Sequence, residues 1–293
     1  MADAKKTTRL FISANDPSAD VHCAGLIGAL RAGGRDIEFV GIGGPKMADA
    51  GCKLIENTVG GAVMTYKAVA HAGYYYKLLR RIKGCLRERP FDLAIVCDSP
   101  SFNFHVAKAA KGAGIPTLFY VAPQLWAWGG WRIGKLRRCC DKLCCLLPFE
   151  EAWFTQRGVD ATFVGNPLLD KLPADLTGFR KDYSDFDPRR ARIALMPGSR
   201  LAEIESLWRP MQEAAVRLKE QFPSAQFVAV APNEERRALL AQMQIPGFSC
   251  EYSVDSVTAT SSDVDFALVA SGSATLEVAS AGCPMVVMYQ TNR

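Results

Sequence analysis

The chain has 293 residues, of which 49% are hydrophobic and 22% charged, and its formal net charge is +5. This length is sufficient for two domains with separate cores. The mild positive charge suits anionic small molecules or a negatively charged membrane surface, whereas a nucleic-acid groove needs a denser basic stripe. No apolar stretch reaches the roughly 18–20 residues that span a bilayer, so we expect no integral membrane segment.

The ten cysteines lie mostly inside apolar runs, and no secretory signal precedes the first strand. The sequence therefore predicts reduced, buried thiols in a cytosolic protein. The pairs Cys139-Cys140 and Cys144-Cys145 raise the hypothesis of a metal site. However, adjacent cysteines of a strand point to opposite faces, and the spacing of zinc knuckles is absent. Packing is the favoured interpretation, and we predict neither a metal nor another cofactor.

Short apolar runs alternate with amphipathic segments, which is typical of a parallel α/β fold. In the first half, strands are predicted at residues 9–14, 38–42, 93–97, 117–121 and 142–147, and helices at residues 20–30 and 74–89. A further helix is predicted to start at Pro148.

From residue 166 to 190 the composition shifts to Pro, Asp, Lys and Arg without periodicity, which is typical of a linker. Strands are predicted again at residues 193–196, 226–230, 265–270 and 285–289, with a helix at 203–222. We therefore predict two Rossmann-like domains, 1–168 and 191–293, joined by a linker at 169–190. Ligands should bind in an interdomain cleft, beyond the carboxyl ends of the strands.

Two turns of small residues each separate a predicted strand from a helix start, at residues 197–200 and 271–277. Such turns place backbone N–H groups and positive helix ends where a diphosphate can sit. The candidate nucleotide-binding residues are Gly198, Ser199, Arg200, Ser271, Gly272, Ser273, Thr275 and Glu277. The pair of turns predicts a nucleotide-diphosphate ligand.

Two charged residues of these turns have both a functional and an ordinary interpretation. Arg200 could neutralise a diphosphate leaving group, since stabilising developing negative charge is usually the largest catalytic contribution. It could instead form a surface ion pair with Glu203 or Glu205. Glu277 could accept hydrogen bonds from ribose hydroxyls, or be a solvated helix glutamate. We favour the functional interpretation for both.

Asp98 ends a buried strand just before Ser99-Pro100, so its carboxylate should project into the cleft. There it could remove the proton of an acceptor hydroxyl, or it could cap the following helix. Its position alone leaves these interpretations even. Asn103 could likewise orient an acceptor or cap a turn.

Gln124, Trp126 and Trp128 lie beyond a predicted strand end, where alternation would put both tryptophans on one side. They could line an acyl-chain or sugar surface, or pack in the core. The basic run at residues 132–138 could attract a phosphorylated acceptor or an anionic leaflet, or be a solvated face. For the aromatic and basic helix at residues 74–83, membrane contact is favoured over packing on the sheet with its cations in water.

Five segments together resemble one known family. They read VCDSPSFN at 96–103, YVAPQLWAW at 120–128, LLPFE at 146–150, LMPGSR at 195–200 and SGSATLE at 271–277. In that order they resemble lipid-A-disaccharide synthases, two-domain (GT-B) inverting glycosyltransferases. The resemblance runs over nearly the whole chain.

The resemblance implies that diacylglucosamine is transferred from UDP-2,3-diacylglucosamine to 2,3-diacylglucosamine 1-phosphate. The expected product is a β-1,6 disaccharide, with inversion at the anomeric carbon and release of UDP. The resemblance favours Asp98 as the base and the two turns as the UDP site. It implies the cytoplasmic face of the inner membrane as a further partner, leaves a homo-oligomer open and gives no role to nucleic acid.

The chain departs from the family in two respects. The family's first strand usually ends in Gly-Glu-x-Ser-Gly-Asp, whereas residues 15–20 here put Asp16 at the glutamate, keep Ser18 and Asp20, and lose two glycines that allow positive φ. These three residues are candidate contacts for an acceptor. The family also continues well past Arg293, so we expect the second domain to be incomplete.

Two classes of alternative remain. One is another UDP-sugar enzyme, either a transferase or an epimerase, and the other is a non-catalytic nucleotide-sugar-binding remnant. A Rossmann redox enzyme is disfavoured, because no Gly-x-Gly-x-x-Gly follows the first strand.

Overall fold

The computed structural model describes residues 7–59, 68–171, 183–184 and 186–290. It divides the chain into two compact units, Met1–Pro167 and Leu168–Arg293. Most of the predicted linker lies outside the described residues. Each unit is an α/β structure built on a parallel sheet, which confirms the predicted fold class.

The first unit contains a seven-stranded parallel sheet in the order β3-β2-β1-β4-β5-β6-β7. Its strands are β1 Thr8–Ala14, β2 Ile37–Gly43, β3 Lys53–Asn57, β4 Leu93–Cys97, β5 Thr117–Tyr120, β6 Lys142–Cys145 and β7 Ala161–Phe163. The predicted strands correspond to β1, β2, β4, β5 and β6. The edge strands β3 and β7 were not predicted, because they are short and lack a continuous apolar run.

Six helices are described in this unit. They are α1 Pro17–Ala32, α2 Pro45–Asp49, α3 Ala68–Glu88, α4 Pro100–Gly112, α5 Ile133–Cys139 and α6 Pro148–Thr155. Four of them begin with proline, whose fixed φ suits the first helical turn and whose missing N–H is not needed there. Each of these four helices follows closely on the end of a strand, so the strand ends are held in short turns.

Helices cover both faces of this sheet. On one face, α3 to α6 bury side chains such as Ile82, Phe104, Leu136 and Phe154. On the other face, α1 and α2 contribute side chains such as Ile27 to a second cluster. Because the central strands are buried on both sides, they read as continuous apolar runs, which is why the sequence revealed them.

The cysteines of β6 alternate as predicted for a strand. Cys145 lies in the cluster under α3 to α6, and Cys144 packs against the cluster under α1 and α2. All ten cysteines are free thiols. Burial raises the pKa of the Cys52 and Cys145 thiols to about 12, so both are protonated at neutral pH.

Helix α3 packs on the sheet through Leu78, Ile82 and Leu86, which recur every four residues and are buried. Tyr76 is 71% exposed on the outer side. This geometry matches the packing interpretation left open for the helix by the sequence. A search of the described ranges for helices that could span a bilayer finds none.

The second unit contains a five-stranded parallel sheet in the order β10-β9-β8-β11-β12. Its strands are β8 Arg192–Met196, β9 Gln226–Val230, β10 Glu251–Ser253, β11 Phe266–Ala270 and β12 Met285–Met288. Its described helices are α7 Leu201–Gln221, α8 Glu234–Gln242, α9 Val257–Asp263 and α10 Ala274–Ser280. Trp208 of α7 is fully buried and its indole N–H donates to Leu240 O at 2.9 Å, which fixes α7 against α8.

In each sheet the strand order reverses at one point, between β1 and β4 in the first and between β8 and β11 in the second. Ala14 pairs with Cys97, and Val269 pairs with Met196, so each pair of strands ends at the same edge. Such reversal points are where open α/β sheets bind ligands. Asp98 and the two small-residue turns therefore follow strands that flank these points.

Gly41 tests how closely β1 and β2 pack. A Cβ at residue 41 would lie 1.9 Å from Ile12 O of the neighbouring strand. We expect Gly41→Ala to lower the free energy of unfolding by about 3 kcal/mol, because the backbone cannot yield as a side chain does. The measurement is urea denaturation followed by circular dichroism.

Gly28→Ala is the matched control for this prediction. Residue 28 lies inside α1 and its added Cβ would meet nothing within 4 Å, so this variant should be as stable as the parent or up to ~1 kcal/mol more stable. Equal stability of the two variants would contradict the close approach of β1 and β2.

Candidate functional site

The candidate base Asp98 is half-buried and lies in a strained turn at the carboxyl end of β4. Asp98 and Ser99 have φ values of 49° and 42°, and Val121, after the neighbouring β5, has φ 70°. These are the described non-glycine residues with positive φ, and all three follow adjacent strands. Such conformations cost about 1–3 kcal/mol each and concentrate at functional sites.

Asn103 of α4 holds this turn in place. Its side-chain amide donates to Cys97 O and to Asp98 O, both at 2.8 Å. Its Oδ1 accepts from the Ser13 hydroxyl at 2.7 Å and from Asn15 Nδ2 at 3.2 Å. The side chain is fully buried, so Asn103 positions Asp98 rather than contacting a ligand itself. Of the two sequence interpretations, the structure matches the turn-stabilising one.

Asn15 was not singled out from the sequence. Its Oδ1 is buried and has no hydrogen-bond partner among the described residues. A polar residue directly after an apolar strand was the available signal.

Asp16 caps α1 and connects β1 to the strained turn. Its carboxylate accepts from Ser18 Oγ at 2.6 Å, Ala19 N at 2.9 Å and Ser99 Oγ at 2.8 Å. Burial raises the pKa of Asp16, but these hydrogen bonds outweigh that effect and hold the pKa below its usual value. The structure thus brings Asp16 and Ser18 together with the Asp98–Ser99 turn.

Asp20 lies deeper in the same unit and is 1% exposed. Its carboxylate accepts from the backbone N–H groups of Gly44, Lys46 and Met47 at 2.8, 3.0 and 3.0 Å. The carboxylate therefore caps the first turn of α2, where it satisfies N–H groups that have no partner within the helix. The prediction of Asp20 as a direct acceptor contact does not fit this burial, and its role here is to fix the β2–α2 turn.

The segment after β5 is a turn, not a continuing strand, because the N–H groups of Ala127 and Trp128 both donate to Gln124 O. Strand alternation therefore does not apply here, so the reason given for placing both tryptophans on one side does not hold. Trp126 is half-buried and its indole N–H donates to Glu150 Oε1 at 3.0 Å. Trp128 is 78% exposed, and Gln124 is also exposed.

Glu150 was missed as a structural partner of this segment. It is 2% exposed and also accepts from the N–H groups of Leu146 and Leu147 at 3.1 and 3.0 Å. The signal was a glutamate in the first helical turn after a strand, which is typical of a residue that satisfies unpaired N–H groups.

In the second unit, the donors of the β8–α7 turn, which could bind an anion, are bonded to the carboxylate of Glu203. Glu203 Oε2 accepts from the N–H groups of Ser199 and Arg200 at 3.1 and 3.2 Å. Glu203 Oε1 accepts from Arg200 Nη1 at 2.9 Å. Gly198 has φ 105°, and a Cβ there would lie 2.4 Å from the same carboxylate. The surface ion pair that the sequence analysis disfavoured is therefore present.

The second turn leads from β11 into α10. Ser271, Gly272 and Ser273 are exposed, and Thr275 donates through its hydroxyl to Gly272 O at 2.7 Å. Glu277 lies one turn into α10 and accepts from Thr258 Oγ1 of α9 at 3.4 Å. The turn follows β11, the strand next to β8, so both predicted nucleotide turns lie at the same edge of this sheet.

A family model described as lipid-A-disaccharide synthetase matches residues 10–293. The lipid-A-disaccharide synthase of Trichlorobacter lovleyi is 33% identical over 288 residues, which cover 96% of this chain and 74% of that protein. The enzyme of the same name from Myxococcus xanthus is 34% identical over 291 residues, covering 97% and 75%.

Solved structures share the fold at low sequence identity. A MnaA–UDP co-structure from S. aureus has a TM-score of 0.63 at 13% identity and covers 97% of this chain and 80% of its own. The UDP-GlcNAc 2-epimerase from Neisseria meningitidis, bound to UDP-GlcNAc, has a TM-score of 0.63 at 12% identity, with coverage of 97% and 83%. MurG from Acinetobacter baumannii has a TM-score of 0.52 at 13% identity, covering 92% and 73%. Likeness at this identity concerns the fold.

The hydrogen bonds of Asp16 predict a pH-dependent contribution to stability. Its folded-state pKa lies below the ordinary value of 3.8, so the carboxylate stabilises the protein above that pH and loses its contribution as the pH falls through the folded-state pKa. We expect Asp16→Asn to cost about 1–2 kcal/mol at pH 7 and progressively less below about pH 4. Urea denaturation at several pH values measures this difference.

Asp49→Asn, which alters an exposed aspartate of α2, controls for the loss of one negative charge. A cost of Asp16→Asn that stayed constant down to pH 2 would contradict the assigned hydrogen bonds.

Proposed function

The chain belongs to the lipid-A-disaccharide synthetase family, and on this basis we propose that the residues at its two strand-order reversals carry a glycosyl transfer. The chain is a glycosyltransferase that joins a UDP-linked sugar to a sugar acceptor. The donor is UDP-2,3-diacylglucosamine and the acceptor is 2,3-diacylglucosamine 1-phosphate. The product is the β-1,6 disaccharide, and UDP is released.

The observation that carries the mechanism is the strained Asp98–Ser99 turn at the β1/β4 reversal. We propose that Asp98 is the general base. Its carboxylate takes the proton of the acceptor hydroxyl while that oxygen bonds to the anomeric carbon, and the bond from this carbon to the diphosphate oxygen breaks. A single displacement of this kind inverts the anomeric configuration. Asn103 serves as a positioning residue, because its amide holds the backbone that carries Asp98.

For the leaving group, we propose that the diphosphate of UDP binds at the β8–α7 turn. Helix α7 has 21 residues, and its N-terminus presents the N–H groups of Ser199 and Arg200 next to the guanidinium of Arg200. The donor must displace Glu203 from these groups. Exposed ion pairs contribute about 0–1 kcal/mol, and the two N–H groups that Glu203 releases can donate to the diphosphate instead.

The second turn completes the proposed nucleotide site. Ser271, Gly272, Ser273 and Thr275 supply small, mostly exposed groups for close approach to the nucleotide. Glu277 accepts from the ribose hydroxyls, in the way that carboxylates do in other nucleotide-binding sheets. Its 3.4 Å contact with Thr258 is long for a hydrogen bond and can be exchanged for a ribose hydroxyl.

On the acceptor side, we propose that Gln124, Trp128 and the Asp16–Ser18 loop contact the acylated sugar, with Trp126 supporting the segment through Glu150. Trp128 and Trp131 are 78% and 80% exposed, and Arg132 lies over the Trp131 ring at 5.4 Å. Exposed tryptophans beside cations suit a membrane–water interface. This supports a peripheral position at the cytoplasmic face of the inner membrane.

Replacing the proposed base separates chemistry from binding. We expect Asp98→Asn to reduce turnover by at least about 10³-fold, because proton removal in the transition state is lost while the donor site is unchanged. The measurement is UDP release together with disaccharide formation from both acylated sugars, with UDP affinity from calorimetry. Turnover equal to that of the parent would remove the base assignment, and UDP release without disaccharide would indicate a different transfer or an epimerase.

Replacing Arg200, the residue proposed to bind the diphosphate, should weaken binding of the nucleotide. We expect Arg200→Gln to weaken UDP binding by about 10–100-fold, because a charge-assisted hydrogen bond of about 1.5–3 kcal/mol is lost. Arg209→Gln removes an arginine of the same helix that pairs with Glu213, so it is the matched control and should leave UDP binding unchanged. Equal UDP affinity in the two variants would place the diphosphate elsewhere.

A further inference from the structure

Positively charged residues are concentrated in three outer helices of the first unit. Helices α3, α4 and α5 pack against the same core cluster on one face of the sheet, and α4 lies in contact with both of the others. Together they contain ten Lys and Arg residues and one acidic residue, Glu88. The remainder of the chain contains 25 basic and 29 acidic residues. The positive charge of the protein is therefore concentrated in one helical layer.

Within this layer, a groove of about 280 Å³ opens between α3 and α4. Its apolar floor includes Leu79 of α3 and Ala109 of α4. Lys83 and Arg87 line it from α3, and Lys108 with His105 from α4. None of the residues lining the groove is acidic, so cations from two helices converge on one small concave space.

Two cations of the layer that lie outside the groove have carboxylate partners. Arg81 pairs with Glu56, and Lys111 pairs with Asp141. Within the described ranges, no ion pair involves Lys83, Arg87 or Lys108. Cations near a helix C-terminus offset the macrodipole, which accounts for Arg87 in the last turn of α3. It does not account for Lys83, which lies further from the helix end and shares the groove with Lys108.

The pKa of His105 reflects the positive charge around this groove. Burial lowers the pKa of its imidazole, and the nearby Lys135, Lys108 and Lys83 lower it further. The ring is therefore neutral at pH 7 and can donate one N–H. An anion in the groove would oppose the lysines and raise this pKa, which makes His105 a local reporter.

We propose that the groove between α3 and α4 binds the phosphate group of an anionic ligand, with Lys83, Arg87 and Lys108 as its cationic contacts. Three convergent cations match the charge of a phosphate, and the apolar floor accommodates the carbon atoms attached to it. The groove is lined by residues of the two outer helices, and none of them belongs to the proposed transferase site. The proposal therefore stands or falls independently of the transfer reaction.

The first test follows His105 by NMR during pH titration of the full chain. The chain contains three histidines, and the His105→Gln variant identifies the resonance. Inorganic phosphate should raise the pKa of His105 relative to sodium chloride of equal ionic strength. Identical titration curves in the two salts would overturn the proposal.

The second test compares two double variants that each remove two positive charges. Lys83→Gln/Lys108→Gln alters the groove, whereas Lys77→Gln/Arg80→Gln alters exposed cations of α3 that do not line it. Equilibrium dialysis with radiolabelled inorganic phosphate should show at least about tenfold weaker binding for the groove variant and parental binding for the control. Equal binding by both variants would refute the assignment. All four substituted side chains are exposed, and circular dichroism verifies that the variants fold.

The source of the phosphate group is distinguished with vesicles. Sedimentation with phosphatidylglycerol vesicles, compared with phosphatidylcholine vesicles, is measured for the same variants. Loss of phosphatidylglycerol binding in the groove variant alone identifies a lipid headgroup. Groove-dependent binding of inorganic phosphate without a groove-dependent effect on vesicles identifies a soluble phosphorylated ligand. Binding of neither probe through the groove contradicts the proposal.

Discussion

One buried amide holds together the edge of the first sheet that carries the proposed base, Asp98. Asn103 donates to the backbone of Cys97 and Asp98 and accepts from the Ser13 hydroxyl, so it ties the ends of β1 and β4 to the start of α4. These hydrogen bonds stabilise the turn, and they offset the cost of two consecutive residues with positive φ. The orientation of the Asp98 carboxylate thus depends on a side chain that solvent does not reach.

Whereas a buried side chain holds the candidate site of the first unit, a partly exposed one holds that of the second unit. Its candidate anion site is exposed and is occupied by Glu203 of the same helix, which satisfies the N–H groups that no helical carbonyl can reach. A rigid, buried support for the proposed base and an exchangeable, exposed partner at the proposed diphosphate site suit the different tasks of these two sites. A base must keep its geometry throughout the reaction, whereas a nucleotide must enter and leave.

Much of this arrangement could be predicted from the sequence. The central strands are apolar runs, and β4, β8 and β11 are followed by acidic or small residues, so the sequence positions of Asp98 and of both turns could be predicted. The environment of individual side chains did not follow, because it depends on distant partners: Ser13 and Asn103 are 90 residues apart. The hydrogen bonds of Asp20 with Gly44 N–H and of Trp126 with Glu150 were not predicted for the same reason, because no sequence pattern indicates these contacts.

The order of strands also bears on how the chain folds during synthesis. Strand β1 pairs with β4, whose residues follow it by more than 80 positions in the chain. Strand β8 likewise pairs with β11, which is synthesised much later. Until those partners leave the ribosome, one edge of each central strand carries unpaired N–H and C=O groups. Each unit therefore passes through a nascent form with an open apolar edge, and the delay makes chaperone protection most valuable before β4 and before β11 emerge.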